Sequence, residues 1–418
     1  MDLTVTENIV SPGSAAEGLS RIEWAKQFMP ALFEAGQDLL ESGALAGRRV
    51  GIVLALEPKT AVLALTLSEA GADVAVYADA ASTRDSEAAA LASKGIAVFA
   101  RSDADEATDV LLLDRFIDWG IEFLIDDGAV ATRIIHTSRR DMLPTLVGVA
   151  EETTSGVRPL RVMADEGALE VPCLAVNDCD AKQLFDNVYG TGQSVVMSVI
   201  DATNTQLQGK EVVVVGYGLV GSGIAGAAHG LGARVTITEI DPIKALKAVH
   251  DGYLVQPLRE ACLSGDVFIT ATGVGYSLTA AEAQLMKDGA LMAVGGEGPP
   301  EIDLTGDPSV RLGDEVRPHV REVHLDGDRS VFLVADGHCS NITAGEGNPI
   351  EIMDLSLAVQ CRAVHHLAEK GAGLRPGVYD VPPDVANATA RAALARKGIA
   401  IDTPTAAQEL DASSWRTN

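Results

Sequence analysis

The segment from Glu211 to Asp241 constrains the fold of this chain more than any other part of the sequence. A β-branched run, Val212 to Val215, ends at Gly216, and Gly218 and Gly221 complete the pattern G-x-G-x-x-G. A stretch rich in small residues follows and has the composition of a closely packed helix. A strand, a glycine turn and a helix in this order predict a βαβ unit that binds a dinucleotide.

The spacing of the glycines fits that interpretation. Gly216 permits the tight turn, Gly218 lets the backbone approach a pyrophosphate, and Gly221 lets the helix pack closely on the strand. The helix N-terminus then faces the phosphates. Glu239 follows the next predicted strand and can accept hydrogen bonds from ribose hydroxyls, which favours NAD over NADP. The alternative is a glycine-rich turn in another kind of α/β sheet.

Composition and charge exclude several classes of partner. A chain of 418 residues is long enough for two or three domains. Its net charge of −27 argues against binding to nucleic acid or to an anionic membrane surface. The five cysteines are odd in number and lack metal-ligand spacing, which predicts reduced thiols, no metal site and a cytoplasmic protein. We expect neither a secretion signal nor a membrane-spanning helix.

Strands and helices alternate along the chain, which predicts an α/β fold with two Rossmann-like parallel-sheet domains joined by hinges and a small C-terminal segment. In the first domain, helical periodicity extends over residues 20–46. Predicted strands and helices then follow at Arg49–Leu56, Thr60–Gly71, Asp73–Tyr77, Asp85–Lys94, Ile96–Ala100 and Phe123–Ile125.

The second α/β unit starts near residue 190. Its predicted strands are 211–215, 234–238, 267–270, 290–294 and 330–334, and helices are predicted at 349–370 and 380–397. Glycine-rich segments at 295–299 and 345–347 are expected to be loops or hinges. We expect a substrate-binding domain over 1–186, to which 345–395 returns, an NAD-binding domain over 187–344, and a tail over 396–418.

Several long motifs of this chain resemble the S-adenosyl-L-homocysteine hydrolase family. They are the glycine turn with the strand after it, Asp126-Asp127-Gly128, the run Glu-Glu-Thr-Thr-Ser-Gly-Val over 151–157, and the run Asn-Asp-Cys-Asp-Ala-Lys-Gln-Leu-Phe-Asp-Asn-Val-Tyr-Gly over 177–190. The similarity extends from about residue 20 to about residue 410. It implies a tightly held NAD and a cycle with no net redox change.

In that cycle the 3′-hydroxyl of a nucleoside is oxidised, the C4′ proton is removed, the 5′ substituent is eliminated, water is added and the ketone is reduced. The order is physically sensible, because the C4′ proton becomes acidic only when the neighbouring carbon is a carbonyl.

The resemblance implies roles for four residues near the substrate. Lys182 and Asp186 match the pair that holds and deprotonates the 3′-hydroxyl, and Asp127 matches a general acid or base near C4′ and C5′. Glu152 matches a residue that binds the ribose. Taken alone, Lys182 and Asp186 could be a surface ion pair at i, i+4, and the two other acids could cap helices.

For the cofactor, the predicted contacts combine the glycine turn with residues that match family positions. They are Thr153, Thr154, Ser155, Asn187, Gly216, Gly218, Val220, Gly221, Glu239, Thr272 and Asn341. Without the resemblance, the Thr-Thr-Ser run could equally be a turn or a helix cap.

The chain departs from the family at three active-site histidines. Ala55, Gly296 (or Glu297) and Asn348 stand at those positions. Glu57 and Lys59 lie where the base and ribose are recognised. With Asn348, they are therefore predicted to bind substrate.

His338 is close in sequence to Asn341 and is a candidate to enter the substrate site, or else a loop residue. At the C-terminus, Trp415-Arg416 replaces the family's usual Lys and Tyr tail, which reaches a neighbouring subunit.

The retained oxidation residues and the missing histidines lead to three hypotheses. The first is a nucleoside dehydratase that eliminates a 5′-hydroxyl and leaves a 4′,5′-unsaturated nucleoside, as in nucleoside antibiotic pathways of the angustmycin type. The alternative is an authentic S-adenosyl-L-homocysteine hydrolase. The third is a catalytically silent NAD-binding regulatory partner, against which the retention of Lys182, Asp186 and Asp127 argues. A small-molecule nucleoside substrate and a homo-oligomer, either a tetramer or a dimer, are expected.

Overall fold

The computed structural model describes residues 8–10, 12–296 and 298–415. Its strands in chain order are β1 (Arg49–Val53), β2 (Asp73–Ala78), β3 (Ala97–Ala100), β4 (Phe123–Asp126), β5 (Gly148–Glu151), β6 (Pro172–Ala175), β7 (Glu211–Val215), β8 (Arg234–Thr238), β9 (Leu254–Val255), β10 (Val267–Thr270), β11 (Leu278–Thr279), β12 (Leu291–Val294), β13 (Ile302–Asp303), β14 (Arg311–Arg317), β15 (Val320–His324), β16 (Ser330–Val334) and β17 (Gly377–Asp380).

The α-helices are α1 (Ala15–Lys26), α2 (Pro30–Ser42), α3 (Pro58–Glu69), α4 (Asp85–Ser93), α5 (Glu106–Asp118), α6 (Val130–Thr137), α7 (Thr154–Asp165), α8 (Asp180–Gln183), α9 (Gly192–Thr203), α10 (Leu219–Gly230), α11 (Pro242–His250), α12 (Leu258–Cys262), α13 (Ala280–Ala283), α14 (Ser340–Thr343), α15 (Ile350–Lys370), α16 (Pro383–Arg396) and α17 (Ala406–Ala412). A π-helical turn spans Asp186–Thr191, and the Gly190 amide donates to the Phe185 carbonyl five residues earlier.

The first sheet has seven parallel strands in the order β17-β6-β5-β4-β1-β2-β3. The chain enters at β1, moves outward through β2 to β3, and then returns to β4 on the other side of β1. This reversal leaves a crevice at the carboxyl ends of β1 and β4, which is where ligands bind in open α/β sheets.

The second sheet has eight strands in the order β14-β15-β16-β12-β10-β7-β8-β9. Its central strands are parallel, and the chain again reverses, here between β7 and β10, so that a second crevice lies beside the glycine turn. Strands β14 and β15 form an antiparallel edge. A separate two-stranded sheet joins β11 to β13.

Alternation along the buried strands places side chains in cores on both faces of each sheet. In β1, Val50 and Ile52 pack in a core with residues of α1 to α4 and α15, whereas Val53 faces the core of α5 and α6. In β7, Val212 and Val214 pack with α9 and α10, and Val213 faces the opposite side. Helices therefore cover both sheets on both faces, as a βαβ pattern requires.

The predicted α/β fold is confirmed, and the strands predicted at 211–215, 234–238, 267–270 and 330–334 have the predicted bounds. The helical periodicity over 20–46 corresponds to two helices, because Pro30 separates α1 from α2: proline lacks an amide donor and disfavours helical geometry at the residue before it. Within the described ranges, no helix is long and apolar enough to cross a membrane.

Candidate active site

A cavity of about 480 Å³ lies at the carboxyl ends of both sheets. Its wall includes the following residues predicted for the substrate or the cofactor: Glu57, Asp127, Glu152, Thr153, Thr154, Ser155, Lys182, Asp186, Asn187, Gly218, Val220, Thr272, Asn341 and Asn348. The fold thus brings together residues that are up to several hundred positions apart. This volume is in the range of small-molecule and cofactor sites.

Five other predicted residues lie outside the wall. Gly216, Gly221 and Glu239 support the glycine turn from behind Gly218, and Lys59 is buried behind Glu57. His338 is exposed and does not line the cavity. None of the histidines in the described part of the chain belongs to the cavity wall.

The glycine turn has the geometry that a bound dinucleotide requires. Gly216 has a φ of +96°, and a Cβ at this position would lie 2.8 Å from the Ala271 carbonyl oxygen. A Cβ at Gly221 would lie 2.1 Å from the Gly216 carbonyl oxygen, whereas a Cβ at Gly218 would meet no atom within 4 Å. The turn is therefore closed towards the sheet and open at Gly218, where α10 begins and its amides can face a phosphate.

Glu239 follows β8 beside this turn. Its Oε2 accepts from the Tyr217 amide at 2.7 Å, and its Oε1 accepts from the amides of Ile240 and Asp241 at 2.7 and 3.0 Å. Partial burial raises the pKa of Glu239, but the three amide donors outweigh it and hold the pKa below the usual value. The carboxylate is thus ionised and fixed, as a ribose-hydroxyl acceptor must be. The glycine turn and Glu239 therefore have the geometry and charge that bound NAD requires.

Lys182, Asp186 and Glu152 form a buried charged cluster in the wall of the cavity. The Lys182 Nζ lies 2.9 Å from Asp186 Oδ2 and 3.8 Å from Glu152 Oε1. Only 2% of Lys182 and 6% of Asp186 is exposed, which excludes the surface ion pair. Burial by itself lowers the pKa of Lys182, but the two carboxylates outweigh it and raise the pKa, so the amine stays protonated.

Glu152 is held by one helix of the returning chain. Ser356 donates to Glu152 Oε1, and Gln360 donates to Glu152 Oε2 at 2.6 Å. Ser356 and Gln360 are four residues apart on α15, so they share one face of that helix. Burial raises the pKa of Glu152 to about 7 despite the nearby Lys182 and these donors. The carboxyl therefore changes protonation near neutral pH.

Asn177 joins Lys182 to the wall that carries the Thr-Thr-Ser run. Its Oδ1 accepts from Thr154 Oγ1 at 3.2 Å, from Asn187 Nδ2 at 3.3 Å and from Lys182 Nζ at 3.4 Å. The Lys182 Nζ also donates to Asn187 Oδ1 at 2.8 Å. Asn177 was not among the predicted site residues, although it opens the motif that contains Lys182.

Two fully buried carboxylates support the loops that carry Asp127 and Thr153. Glu151 accepts from the Gly128 and Ala129 amides at 2.9 and 3.1 Å and from the Thr153 hydroxyl at 3.0 Å. Asp126 is its neighbour across β4 and β5. Burial raises the pKa of both carboxyls, that of Asp126 to about 6. Both residues belong to motifs that resemble the family, but the sequence predicted no role for either of them.

Asp126 fixes the start of α6 next to Asp127. Its Oδ2 accepts from the Thr132 amide at 2.8 Å and from the Thr132 hydroxyl at 2.6 Å. The Asp127 amide donates to Asp126 Oδ1 at 3.1 Å. The backbone of Asp127 is thereby held at the cavity wall.

At the far wall from the glycine turn, Glu57 and Lys59 form a second buried ion pair. The Lys59 Nζ lies 2.6 Å from Glu57 Oε2 and also donates to the Glu346 carbonyl oxygen at 2.6 Å. Burial raises the pKa of Glu57, with Lys59 opposing this effect. The carboxylate belongs to the cavity wall, whereas the ammonium lies behind it.

Comparison with known proteins identifies the family. Residues 8–145 match the profile of S-adenosyl-L-homocysteine hydrolase, and residues 187–347 match that of the S-adenosyl-L-homocysteine hydrolase NAD binding domain. The chain is 42% identical over 401 residues to the adenosylhomocysteinase of Thermotoga maritima, with 96% of this chain and 99% of that protein covered. The chain belongs to the S-adenosyl-L-homocysteine hydrolase family.

Relatives with a second activity are equally similar. The chain is 42% identical over 410 residues to the S-inosyl-L-homocysteine hydrolase of Methanopyrus kandleri, with 97% of each chain covered. It is 41% identical over 406 residues to the adenosylhomocysteinase of Pyrococcus abyssi, with 96% of each covered. Membership of the S-adenosyl-L-homocysteine hydrolase family makes this chain an NAD-dependent enzyme, and the predicted family and cofactor are confirmed.

Proposed function

We propose that this enzyme hydrolyses a nucleoside 5′-thioether of the S-nucleosyl-L-homocysteine type by the redox-neutral cycle of its family. The observation that carries the proposal is the buried cluster of Lys182, Asp186 and Glu152, in which a protonated amine and two carboxyls meet at the cavity wall. The names of relatives about 40% identical along nearly the whole chain support the thioether as substrate.

The chemistry of each step assigns roles to residues on the cavity wall. Asp186 takes the proton of the 3′-hydroxyl, and Lys182 donates a hydrogen bond to the oxygen as it gains negative charge. The chemistry that bound NAD would supply is a reversible hydride acceptor for C3′. Asp127 takes the C4′ proton, and Glu152 accepts a hydrogen bond from the ribose.

The cofactor would be held by both walls of the cavity. Gly218 and Val220 would face the pyrophosphate, and Glu239 would accept from the ribose hydroxyls. The remaining proposed contacts are Thr153, Thr154, Ser155, Asn187, Gly216, Gly221, Thr272 and Asn341.

Elimination breaks the bond from C5′ to the leaving atom as the C4′ carbanion forms a double bond. Water addition to C5′ followed by reduction of the ketone completes hydrolysis. If water is not added, reduction alone leaves a 4′,5′-unsaturated nucleoside. The early steps are the same for both outcomes, so the retained cluster serves either one.

A second candidate is the nucleoside dehydratase. The observation that favours it is that no histidine of the described chain lines the cavity. By resemblance, Ala55, Gly296 (or Glu297) and Asn348 stand at the family's histidine positions, so the imidazoles that would protonate a leaving thiolate and activate water are absent. A dehydratase has no rehydration step to catalyse, and the 5′-hydroxyl would leave as water with the proton that Asp127 has taken from C4′.

One experiment separates these candidates. The purified enzyme is incubated with S-adenosyl-L-homocysteine, with S-inosyl-L-homocysteine and with nucleosides that carry a free 5′-hydroxyl. Release of a free thiol supports the hydrolase, and loss of one water from a nucleoside, found by mass spectrometry, supports the dehydratase. Absence of both products, together with no absorbance from reduced nicotinamide, overturns the proposal.

We also propose the assignment of the domains and the assembly of the enzyme. Residues 1–186 with 345–395 would bind substrate, 187–344 would bind NAD, and 396–418 would form the tail, in accordance with the two sheets. Exposed apolar side chains near the junction of the two domains in the sequence, namely Leu184, Phe185, Tyr189 and Met197, support a homo-oligomer. Light scattering after gel filtration tests whether it is a tetramer, a dimer or a monomer. The five free cysteines support a cytoplasmic location.

A further inference from the structure

Asn348 lies at the point where the chain returns from the second sheet to the first, and all of its hydrogen-bonding capacity is used. Its Nδ2 donates to Asp186 Oδ1 at 2.7 Å and to Thr191 Oγ1 at 3.1 Å. Its Oδ1 accepts from Ser194 Oγ at 2.7 Å and from Asn341 Nδ2 at 2.8 Å. A side-chain amide has two N–H donors and two acceptor lone pairs, so the protein satisfies all four.

The orientation of this amide follows from its neighbours. An ionised carboxylate only accepts hydrogen bonds, so the Asn348 NH₂ group must face Asp186. Only 9% of Asn348 is exposed, and each of its donors and acceptors has a partner in the protein. A substrate can therefore make only van der Waals contact with this side chain. Its polar contribution therefore reaches the substrate through Asp186.

Asp186 is held at both oxygens by this arrangement. Lys182 binds Oδ2 at 2.9 Å and Asn348 binds Oδ1 at 2.7 Å. The space around the contact is closed, because a Cβ at Gly190 would lie 2.9 Å from Asp186 Oδ1 and 3.0 Å from Asn348 Nδ2. The carboxylate can therefore neither rotate freely nor exchange Asn348 for another partner.

We propose that Asn348 is the positioning residue for Asp186: it fixes the carboxylate that takes the 3′-hydroxyl proton and does so without titrating. This inference rests on the proposed function only in giving Asp186 the role of proton acceptor. In the transfer, the O3′–H bond breaks and an O–H bond forms on Asp186, while the neutral amide neither gains nor loses a proton. A histidine or a carboxyl at this position would make the same contact depend on pH.

Two substitutions test the proposal by the rate at which substrate reduces bound NAD in a single turnover. Asn348→Ala removes the hydrogen-bond donor to Asp186, and we expect the rate of NAD reduction to fall about 10-fold to 100-fold. The factor should be the same at every pH, and substrate affinity should stay within about 3-fold of wild type. Asn348→Asp sets a carboxyl against Asp186, and two such groups share a proton. Its rate relative to wild type should therefore rise at least about 10-fold as the pH falls from about 8 to about 5.5.

Ser194→Ala is the matched control, since it removes one bond to Asn348 and leaves both bonds to Asp186 in place. Its rate should stay within about 3-fold of wild type at every pH. Unfolding measurements on each variant distinguish a loss of folded protein from a loss of rate. If Asn348→Asp does not fold, Asn348→Ala alone tests the proposal.

The outcomes separate the inference from the proposed function. If wild-type enzyme never reduces its NAD with any nucleoside, the proposed function fails and this inference fails with it. If the wild type does reduce NAD but Asn348→Ala weakens affinity rather than rate, Asn348 is a substrate ligand and only the inference is overturned. A pH profile of Asn348→Asp that parallels the wild type overturns it equally.

Discussion

The Lys59 ammonium lies 2.6 Å from Glu57 Oε2, and both side chains are more than nine-tenths buried. The carboxylate forms part of the cavity wall, while the ammonium is fixed from behind by the Glu346 carbonyl. A Cβ at Gly347 would lie 2.1 Å from Glu57 Oε2, so the pair fits only against glycine. The pair thus joins the end of β1 to the segment that returns from the second sheet.

Removing one member of this pair should destabilise the protein strongly. Lys59→Met leaves the Glu57 carboxylate buried without its partner, and we expect the free energy of unfolding to fall by about 3–5 kcal/mol. Adding Glu57→Gln should restore most of that loss, because no buried charge then remains. Denaturant unfolding of the two single variants and the double variant measures this coupling.

The exposed pair of Lys26 and Glu69 provides the control. Lys26→Met should cost no more than about 1 kcal/mol, because water screens an exposed pair. Simple addition of the two single-variant effects at Glu57 and Lys59 would contradict the prediction.

Lys182 should be essential for oxidation of the substrate but not for retention of the cofactor. Lys182→Met removes the donor that we propose stabilises the developing charge on O3′, and we expect the rate of NAD reduction by substrate to fall about 10²- to 10⁴-fold. The amount of NAD that copurifies should not change. Lys247→Met, at an exposed lysine on α11, is the control and should leave the reduction rate unchanged. A Lys182→Met enzyme that still reduces NAD at the wild-type rate would remove Lys182 from the mechanism.

The protonation of Glu152 should make the stability of the protein depend on pH. Burial raises its pKa from 4.5 to about 7, so the folded protein binds this proton more tightly than the unfolded chain. The stabilisation is fully present below about pH 4.5 and is lost as the pH rises through about 7. Glu152→Gln removes this titrating group. The change in unfolding free energy between about pH 5 and pH 8 should therefore be smaller in the variant than in the wild type.

Thermal unfolding of both proteins across that range measures the change. Glu166→Gln, at an exposed acid after α7, should leave the wild-type pH dependence as it is. If Glu152→Gln has the pH dependence of the wild type, the carboxyl does not titrate in this range.

Two glycines of α10 should respond oppositely to the same substitution. Gly221→Ala brings a Cβ within 2.1 Å of the Gly216 carbonyl oxygen, so the turn must shift and the protein should lose its bound NAD. Gly226→Ala on the same helix meets no atom within 4 Å and should stabilise the protein by about 0.5–1 kcal/mol, because alanine favours a helix. Cofactor content by absorbance and unfolding midpoints measure both effects. Equal retention of NAD by the two variants would contradict the assigned role of the turn.

Much of the fold follows from local patterns in the sequence. Continuous β-branched runs such as β7 and β8 are buried on both faces, and their hydrophobicity alone marks them as parallel strands. The antiparallel strand β14 gives no such signal, because all but one of its seven side chains are exposed. Strand β15, which is only partly buried, was likewise not predicted. The short strands β5, β6 and β17 were missed because each begins with glycine or proline, which are typical of turns, whereas the equally short β10 starts with a continuous apolar run.

The sequence alone also determined the chemistry that is available to the chain. The glycine turn and Glu239 predicted a dinucleotide, and the motifs around Lys182 and Asp127 indicated the family. The same resemblance predicts that the missing histidines correspond to Ala55, Gly296 (or Glu297) and Asn348. These are statements about which residue occupies a position, and a sequence contains that information directly.

Only the tertiary structure decided which of these residues act on one another. Asn348 and Asp186 are 162 positions apart, and Ser356 and Gln360 reach Glu152 from more than 200 positions away. Such contacts arise because the chain crosses between two sheets twice, and the packing of α15 on the first sheet then fixes their register. Local propensity acts over a few residues, whereas burial of a charge depends on every segment that surrounds it, so pairing and protonation are properties of the folded chain.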